Sequence, residues 1–289
     1  MMKNKKVLHA LRAETVNMGG IPIKQALPTS KVEQIDPFLL LHHGTFPIDK
    51  LQKALHQGVG PHPHRGFSPV SFVLNGEVHH RDSLRNSSII SKGGIQWVNS
   101  GRGIVHSERP SEKLVESGNP MEVIQLWINV PTEKKMEPAS YHAYQKEELP
   151  EVKLGEGAVA KIITGSLLDT KGPVPAKSEM TIAWAYLDAD SSVELPVQTD
   201  HNFALYIPKG SGKIEGYGLA ETEHLYSFST EGEGVSFESK EPTQLIYLSA
   251  SPIEERLATY GPFVMNNQTE IMEAMRDYQS GKMGVLIEE

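Results

Sequence analysis

Two short segments carry side chains able to do chemistry together: Pro61-His62-Pro63-His64 and, further along, Gly101-Arg102-Gly103-Ile104-Val105-His106-Ser107-Glu108. Each delivers two metal-capable groups two positions apart. On a strand, residues i and i+2 share a face, so His62 can converge with His64, and His106 with Glu108. Two such strands side by side would build a four-ligand site. Three neutral imidazoles and a carboxylate suit iron, manganese, cobalt, nickel, copper or zinc, and leave positions open for dioxygen or an oxygen-bearing substrate. A purely structural metal site fits less well, because such sites are normally closed by four ligands that include thiolates and this chain has no cysteine.

The elements that must position these residues read as short strands. Helical periodicity is scarce, and brief apolar runs are punctuated by Gly, Pro, Asn and Asp through most of the chain. Ser71-Phe72-Val73-Leu74 running into Asn75-Gly76 predicts a strand entering a tight turn. Residues 203–207, ending at Lys209-Gly210, predict another, and 121–128 and 243–248 are further buried-strand candidates. The fold class is therefore all-β. One amphipathic helix is expected near the end, over 271–278, with Asn267, Thr269 and Glu270 as N-terminal partners and Gly281 as a stop. It would present Ile271, Met275 and Tyr278 on one face and pack on a β-domain.

The second half repeats the first weakly but in order. Leu74-Asn75-Gly76 falls on Pro208-Lys209-Gly210, residues 101–108 fall on 232–239, and Gln125-Leu126-Trp127 falls on Gln244-Leu245-Ile246. In this alignment Phe237 replaces His106, Ser239 replaces Glu108, and Pro196 and Gln198 stand for His62 and His64. The second domain is expected to bind no metal at the equivalent place. With 289 residues the chain exceeds what one core usually serves, and the expected domains are 1–140 and 141–289, joined in the polar stretch 132–152, with the tail helix in the second.

Composition excludes several function classes. A net charge of −8 argues against a surface that holds phosphate backbones, so no direct nucleic-acid binding is expected. The absence of cysteine removes disulfides and thiol switches. The basic start is followed by no apolar run of signal-peptide length, and no membrane span is legible, so a cytoplasmic location is expected. Among the other candidates, His79-His80 with Arg81-Asp82 read as hairpin-end residues making hydrogen bonds. His42, His43, His56, His142, His201 and His224 read as surface or satisfied histidines. Trp97 and Trp127 read as core, and Lys134-Lys135 and Lys146-Glu147-Glu148 as solvated connections.

At these residues the chain resembles the pirins, two-domain members of the cupin superfamily that include bacterial quercetin dioxygenases. The resemblance spans nearly the whole chain. It rests on Asp36-Pro37-Phe38-Leu39-Leu40-Leu41, Pro61-His62-Pro63-His64-Arg65-Gly66-Phe67, the segment from Gly101 to Glu108, and Gly261-Pro262-Phe263-Val264-Met265-Asn266 with Asp277-Tyr278-Gln279 in the tail. It implies a bicupin, two jelly-roll β-barrels in tandem with a short C-terminal helix. It further implies iron(II) as the one divalent metal, held by His62, His64, His106 and Glu108 in an N-terminal cupin, with nickel, manganese, cobalt, copper or zinc as alternatives, and a C-terminal cupin that is metal-free. The implied activity is that of a quercetin 2,3-dioxygenase: dioxygen opens the central ring of a flavonol-like aromatic substrate, both oxygen atoms stay in the product and carbon monoxide leaves. Glu108 would be the general base for the 3-hydroxyl proton. The competing implication is an iron-dependent, redox-sensing regulatory protein that acts on a protein partner. Two departures from the family stand out: Ser68 sits where many cupins carry a glutamate ligand, and His42-His43 follow the leucine run in place of an acidic residue.

Overall fold

The computed structural model describes residues 2–288. The chain is built from strands, with two α-helices among the described residues, Glu112–Ser117 and Gln268–Gln279. It divides into two compact units. One comprises residues 1–16, 24–41 and 149–252, and the other 17–23, 42–148 and 253–289. No helix among the described residues is long and apolar enough to cross a membrane.

The unit that carries the two candidate segments contains a four-stranded sheet in the order Val59–His64, Ile104–Pro110, Glu77–Asp82, Ser87–Ser91. A larger sheet runs Ser140–Tyr144, Ile95–Asn99, Phe67–Asn75, Met121–Asn129, and continues through Phe38–Phe46, Ile21–Leu27 and Glu14–Met18. Burial explains the sequence patterns. Phe67–Asn75 is buried along most of its length, Ser68 and Ser71 included, whereas Glu77–Asp82 alternates strictly and turns Val78, His80 and Asp82 inward. The strand Val59–His64 contains Pro61 and Pro63, which cannot donate to a ladder, and accordingly it sits at the sheet edge.

The domain limits 1–140 and 141–289 need correction. The change of unit at residues 148 and 149 does fall inside the expected linker, but the ends of the chain are exchanged. Val7–Arg12 pairs with His224–Phe228 in the unit built mainly from the second half. The tail helix belongs with the candidate site. Its buried residues are Ile271 and Ala274, which pack with Val105, Phe263, Met265 and Met283, while Tyr278 is exposed, unlike the predicted face. Asn267 caps the helix by accepting from the Glu270 amide. Two ion pairs make the assignment specific: Arg65 meets Asp277 at 3.1 Å, and the Glu288 carboxylate takes Arg109 at 2.7 Å and the Ser107 hydroxyl at 2.6 Å.

Lys135, expected in a solvated connection, is instead buried, with 1% of its surface exposed. Its ammonium donates to the carbonyls of Gly66 and Val264 and to Asn129 Oδ1. Burial pushes its pKa down to about 8, against the opposing pull of Glu255 and Glu270. The same region needs glycine at 66, where φ is +83° and a Cβ would lie 2.0 Å from the Val264 carbonyl oxygen.

The other unit has the same plan: a seven-stranded sheet and a four-stranded one in the order Ser192–Pro196, Gly234–Ser239, Gly212–Ile214, Gly218–Ala220. Strand order supports the duplication but shifts part of the alignment. Phe237 pairs with Val193, and Val235 with Leu195, just as His106 pairs with His62 and Ile104 with His64. The counterparts of His62 and His64 are therefore Val193 and Leu195 rather than Pro196 and Gln198. With Phe237 they are buried in an apolar core.

Replacing Lys135 by Met would leave three buried acceptors without their donor. A loss of roughly 2–4 kcal/mol is expected in urea unfolding; an unchanged midpoint would show that this ammonium is not a tie.

Candidate metal centre

The ladder between Val59–His64 and Ile104–Pro110 places His62 directly opposite His106, with His64 opposite Ile104. His62 and His64 share a face, and the three imidazoles meet: ring centroids are 4.4 Å apart for His62 and His106, 4.8 Å for His62 and His64, and 4.9 Å for His64 and His106. One ligand nitrogen from each lies within 4.8 Å of the others, close enough to bind a metal.

The nitrogen atoms fit that use. His64 and His106 are buried, and among the described residues neither ring nitrogen of His64 nor Nε2 of His106 has a hydrogen-bond partner of ordinary geometry. Buried polar atoms are rarely left this way without a bound partner or a task. His62 places Nδ1 2.8 Å from the Gly60 carbonyl, an acceptor that calls for a proton on Nδ1 and leaves Nε2 as the candidate ligand atom. Burial first, then charge on His62, holds the His64 pKa well below the ordinary histidine value, the Pro262 carbonyl opposing. His106 is lowered in the same way by burial, then by His62, His64 and His80. Neutral imidazoles are the form that ligates.

Glu108 stands beside this cluster but is not part of the three-nitrogen group. The register slips between His106 and Glu108, so that Glu108 faces Val59, and Gly58 accommodates the slip: its φ is +68°, and a Cβ there would lie 2.5 Å from the Glu108 carbonyl oxygen. The Glu108 carboxylate is gripped from three strands. Oε1 accepts from the Ser71 hydroxyl at 2.8 Å and from Gln96 Nε2, and Oε2 accepts from Gln125 Nε2 at 3.0 Å. Ser68, at the position of the cupin glutamate, is buried and donates to Asn99 Oδ1 instead.

His62, His64 and Glu108 line a cavity of about 190 Å³ whose other walls are mostly apolar: Met18, Ile23, Phe46, Val59, Val78, Met121, Val123 and Trp127. Three expectations change here. Trp97 is core, but Trp127 is a cavity wall, its indole N–H donating to Gln125 Oε1. His42 also lines the cavity, and burial pushes its pKa down to about 4. His80, expected at a hairpin end, is fully buried with Nδ1 3.4 Å from Nδ1 of His106. The missed signal was His80 and Asp82 two apart, facing inward on an alternating strand.

Comparison with known proteins accords with this geometry. The family model described as pirin matches residues 20–128, and that of the pirin C-terminal cupin domain matches 183–284. The chain belongs to the pirin family. Its fold is thus the bicupin, two jelly-roll barrels with a short C-terminal helix. This pirin is 32% identical over 283 residues to a pirin-like protein of Solanum lycopersicum, covering 97% of this chain and 92% of that one. A crystal structure described as quercetin 2,3-dioxygenase from Acinetobacter baumannii matches it with a TM-score of 0.90 and 32% identity, over 98% of this chain and 100% of the other. A bacterial pirin from Escherichia coli in complex with nickel(II) shares the fold at a TM-score of 0.67 and 17% identity, covering 84% of this chain and 99% of that one.

In this pirin His42, His64, His79, His106 and His201 all have pKa values below the ordinary 6.5, each chiefly through burial. The unfolded chain therefore takes up these protons first as pH falls, and stability falls with them below about pH 6.5. Chelator-treated protein should unfold at lower urea at pH 5.5 than at pH 7.5; equal midpoints would contradict the burial of these rings as neutral groups.

Proposed function

We propose that this protein is a metal-dependent dioxygenase of the quercetin 2,3-dioxygenase type, with His62, His64, His106 and Glu108 as ligands of iron(II) and a flavonol-like aromatic compound and dioxygen as substrates. The observation that carries the reading is the convergence of unpartnered, buried imidazole nitrogens on a largely apolar cavity with a fixed carboxylate at its edge. The similarity to the Acinetobacter baumannii quercetin 2,3-dioxygenase supports it. A divalent metal bound there would supply Lewis acidity toward a substrate oxygen and, as iron, a one-electron couple for chemistry with dioxygen.

The chain's own residues would do the rest. Met18, Ile23, Phe46 and Trp127 give an aromatic substrate apolar contact and exclude water from the reacting edge. The cavity, at about 190 Å³, is smaller than the roughly 300–1,000 Å³ of common ligand sites. A flavonol would occupy it only in part, its hydroxyl edge toward Glu108. A carboxylate offers about four lone-pair positions. Ser71, Gln96 and Gln125 use three of them, and the one left is on Oε2. Oε2 is therefore the oxygen that would be available to hold the metal or to accept the 3-hydroxyl proton. Gln125 keeps that oxygen aimed while the proton arrives.

The test is anaerobic reconstitution with iron(II), elemental analysis for occupancy, then quercetin in air with its visible absorbance and carbon monoxide both followed. Colour loss with stoichiometric carbon monoxide, absent in His62→Ala, is expected. Glu108→Gln should retain much of the metal while turnover falls by about 100-fold or more. A Glu108→Gln protein with full activity would remove Glu108 as the base, and a fully loaded wild type that leaves quercetin untouched would overturn the flavonol assignment.

A further inference from the structure

His106 has two ring nitrogens in different situations: Nε2 is buried without a partner, and Nδ1 lies 3.4 Å from Nδ1 of His80. Two imidazole nitrogens can share a hydrogen bond only when one holds the proton and the other a lone pair. The far side of His80 decides which. His80 Nε2 is 3.0 Å from Asp82 Oδ2, and a carboxylate can only accept, so the His80 proton sits on Nε2. In its neutral form this ring offers a bare Nδ1 to His106.

Asp82 is itself locked. Oδ2 also accepts from Asn86 Nδ2 at 2.8 Å, and Oδ1 accepts from the amides of Leu84 at 2.8 Å and Asn86 at 3.0 Å. His80 is held flat against Tyr141, with centroids 3.9 Å apart and planes 7° off parallel, and Tyr141 bonds Ser88 through its hydroxyl. The cross-strand register places His106 opposite Asp82, so the three groups are fixed by the ladder as well as by their side chains.

We propose that His80 and Asp82 are positioning residues that set the tautomer of His106: its proton is held on Nδ1, and Nε2 faces the cluster with its lone pair free for the metal. This rests on the metal reading of the cluster, not on the dioxygenase reading. Asp82→Asn supplies a sharp test because it preserves shape. The amide oxygen can still take the Leu84 and Asn86 amides, while the amide NH2 now donates to His80 Nε2. His80 must then carry its proton on Nδ1 and donate to His106, driving the His106 proton onto the metal-facing Nε2.

The experiment is long-range proton–nitrogen correlation NMR of the histidine rings in metal-free full-length protein, with His106 assigned through His106→Ala, alongside zinc(II) affinity by chelator competition. Wild type should show His106 protonated on Nδ1 and His80 on Nε2. Asp82→Asn should reverse both and weaken zinc(II) binding by about 10- to 100-fold. His80→Phe, which keeps an aromatic ring against Tyr141, should also weaken zinc(II) binding. A wild-type His106 protonated on Nε2 overturns the proposal, as does an Asp82→Asn protein with unchanged tautomers and affinity. The wild-type spectrum needs no variant, so the assignment is read even if Asp82→Asn unfolds. A wild type with the expected tautomers that fails to bind zinc(II) overturns the metal reading instead.

Discussion

The ladder between the proline-bearing edge strand Val59–His64 and the strand Ile104–Pro110 is the constraint on which the candidate centre depends. Its register sets His62 across from His106 and keeps His64 on the same face. Pairing on the other side of Ile104–Pro110 sets Asp82 across from His106 and His80 across from Glu108. A slip of one residue on either side would turn the candidate ligands or their neighbours to the opposite face. The prolines restrict the outer strand to an edge, and the local shift beside Gly58 re-aims Glu108 without disturbing the histidine pair.

How much of this was legible in the sequence follows from which contacts are local. Spacing along one strand is a local property, so His62, His64 and His106 were readable from alternation, and they do converge. The runs at 121–128, 203–207 and 243–248 likewise lie in strands. What holds Glu108 is not local: Ser71, Gln96 and Gln125 come from three separate strands. His80 was misread for the same reason, since its importance lies in a neighbour that cross-strand register supplies. Lys135 looked solvated because a charge beside polar residues usually is, and only the carbonyls of Gly66 and Val264, distant in sequence, show otherwise. The tail helix was found from its caps and apolar spacing, but a helix carries no local mark of which sheet it will cover.

The two units show what separates an interior with polar atoms and a cavity from a filled one on a single plan. Where one has His62, His64 and His106, the other has Val193, Leu195 and Phe237 at matching ladder positions. The imidazoles leave unpartnered nitrogens and an adjoining cavity. The apolar set closes into continuous core with Phe203, Phe228 and Tyr247. Three substitutions on two strands exchange hydrogen-bonding capacity for apolar burial, and the strand order is unchanged.

The exchange of chain ends bears on the order of events during synthesis. Domains usually fold as they leave the ribosome, the N-terminal one first. Here residues 42–148 emerge early, yet the unit they form also needs Ile271 and Ala274 for its apolar packing, Asp277 for Arg65, and Glu288 for Arg109 and Ser107. Arg109 and Ser107 lie on the strand that carries His106 and Glu108. The strand that carries His106 and Glu108 thus waits for residue 288 to be translated before its own anchors are complete, and a chain stopped short of it would bear every candidate ligand and still lack the framework that holds them still.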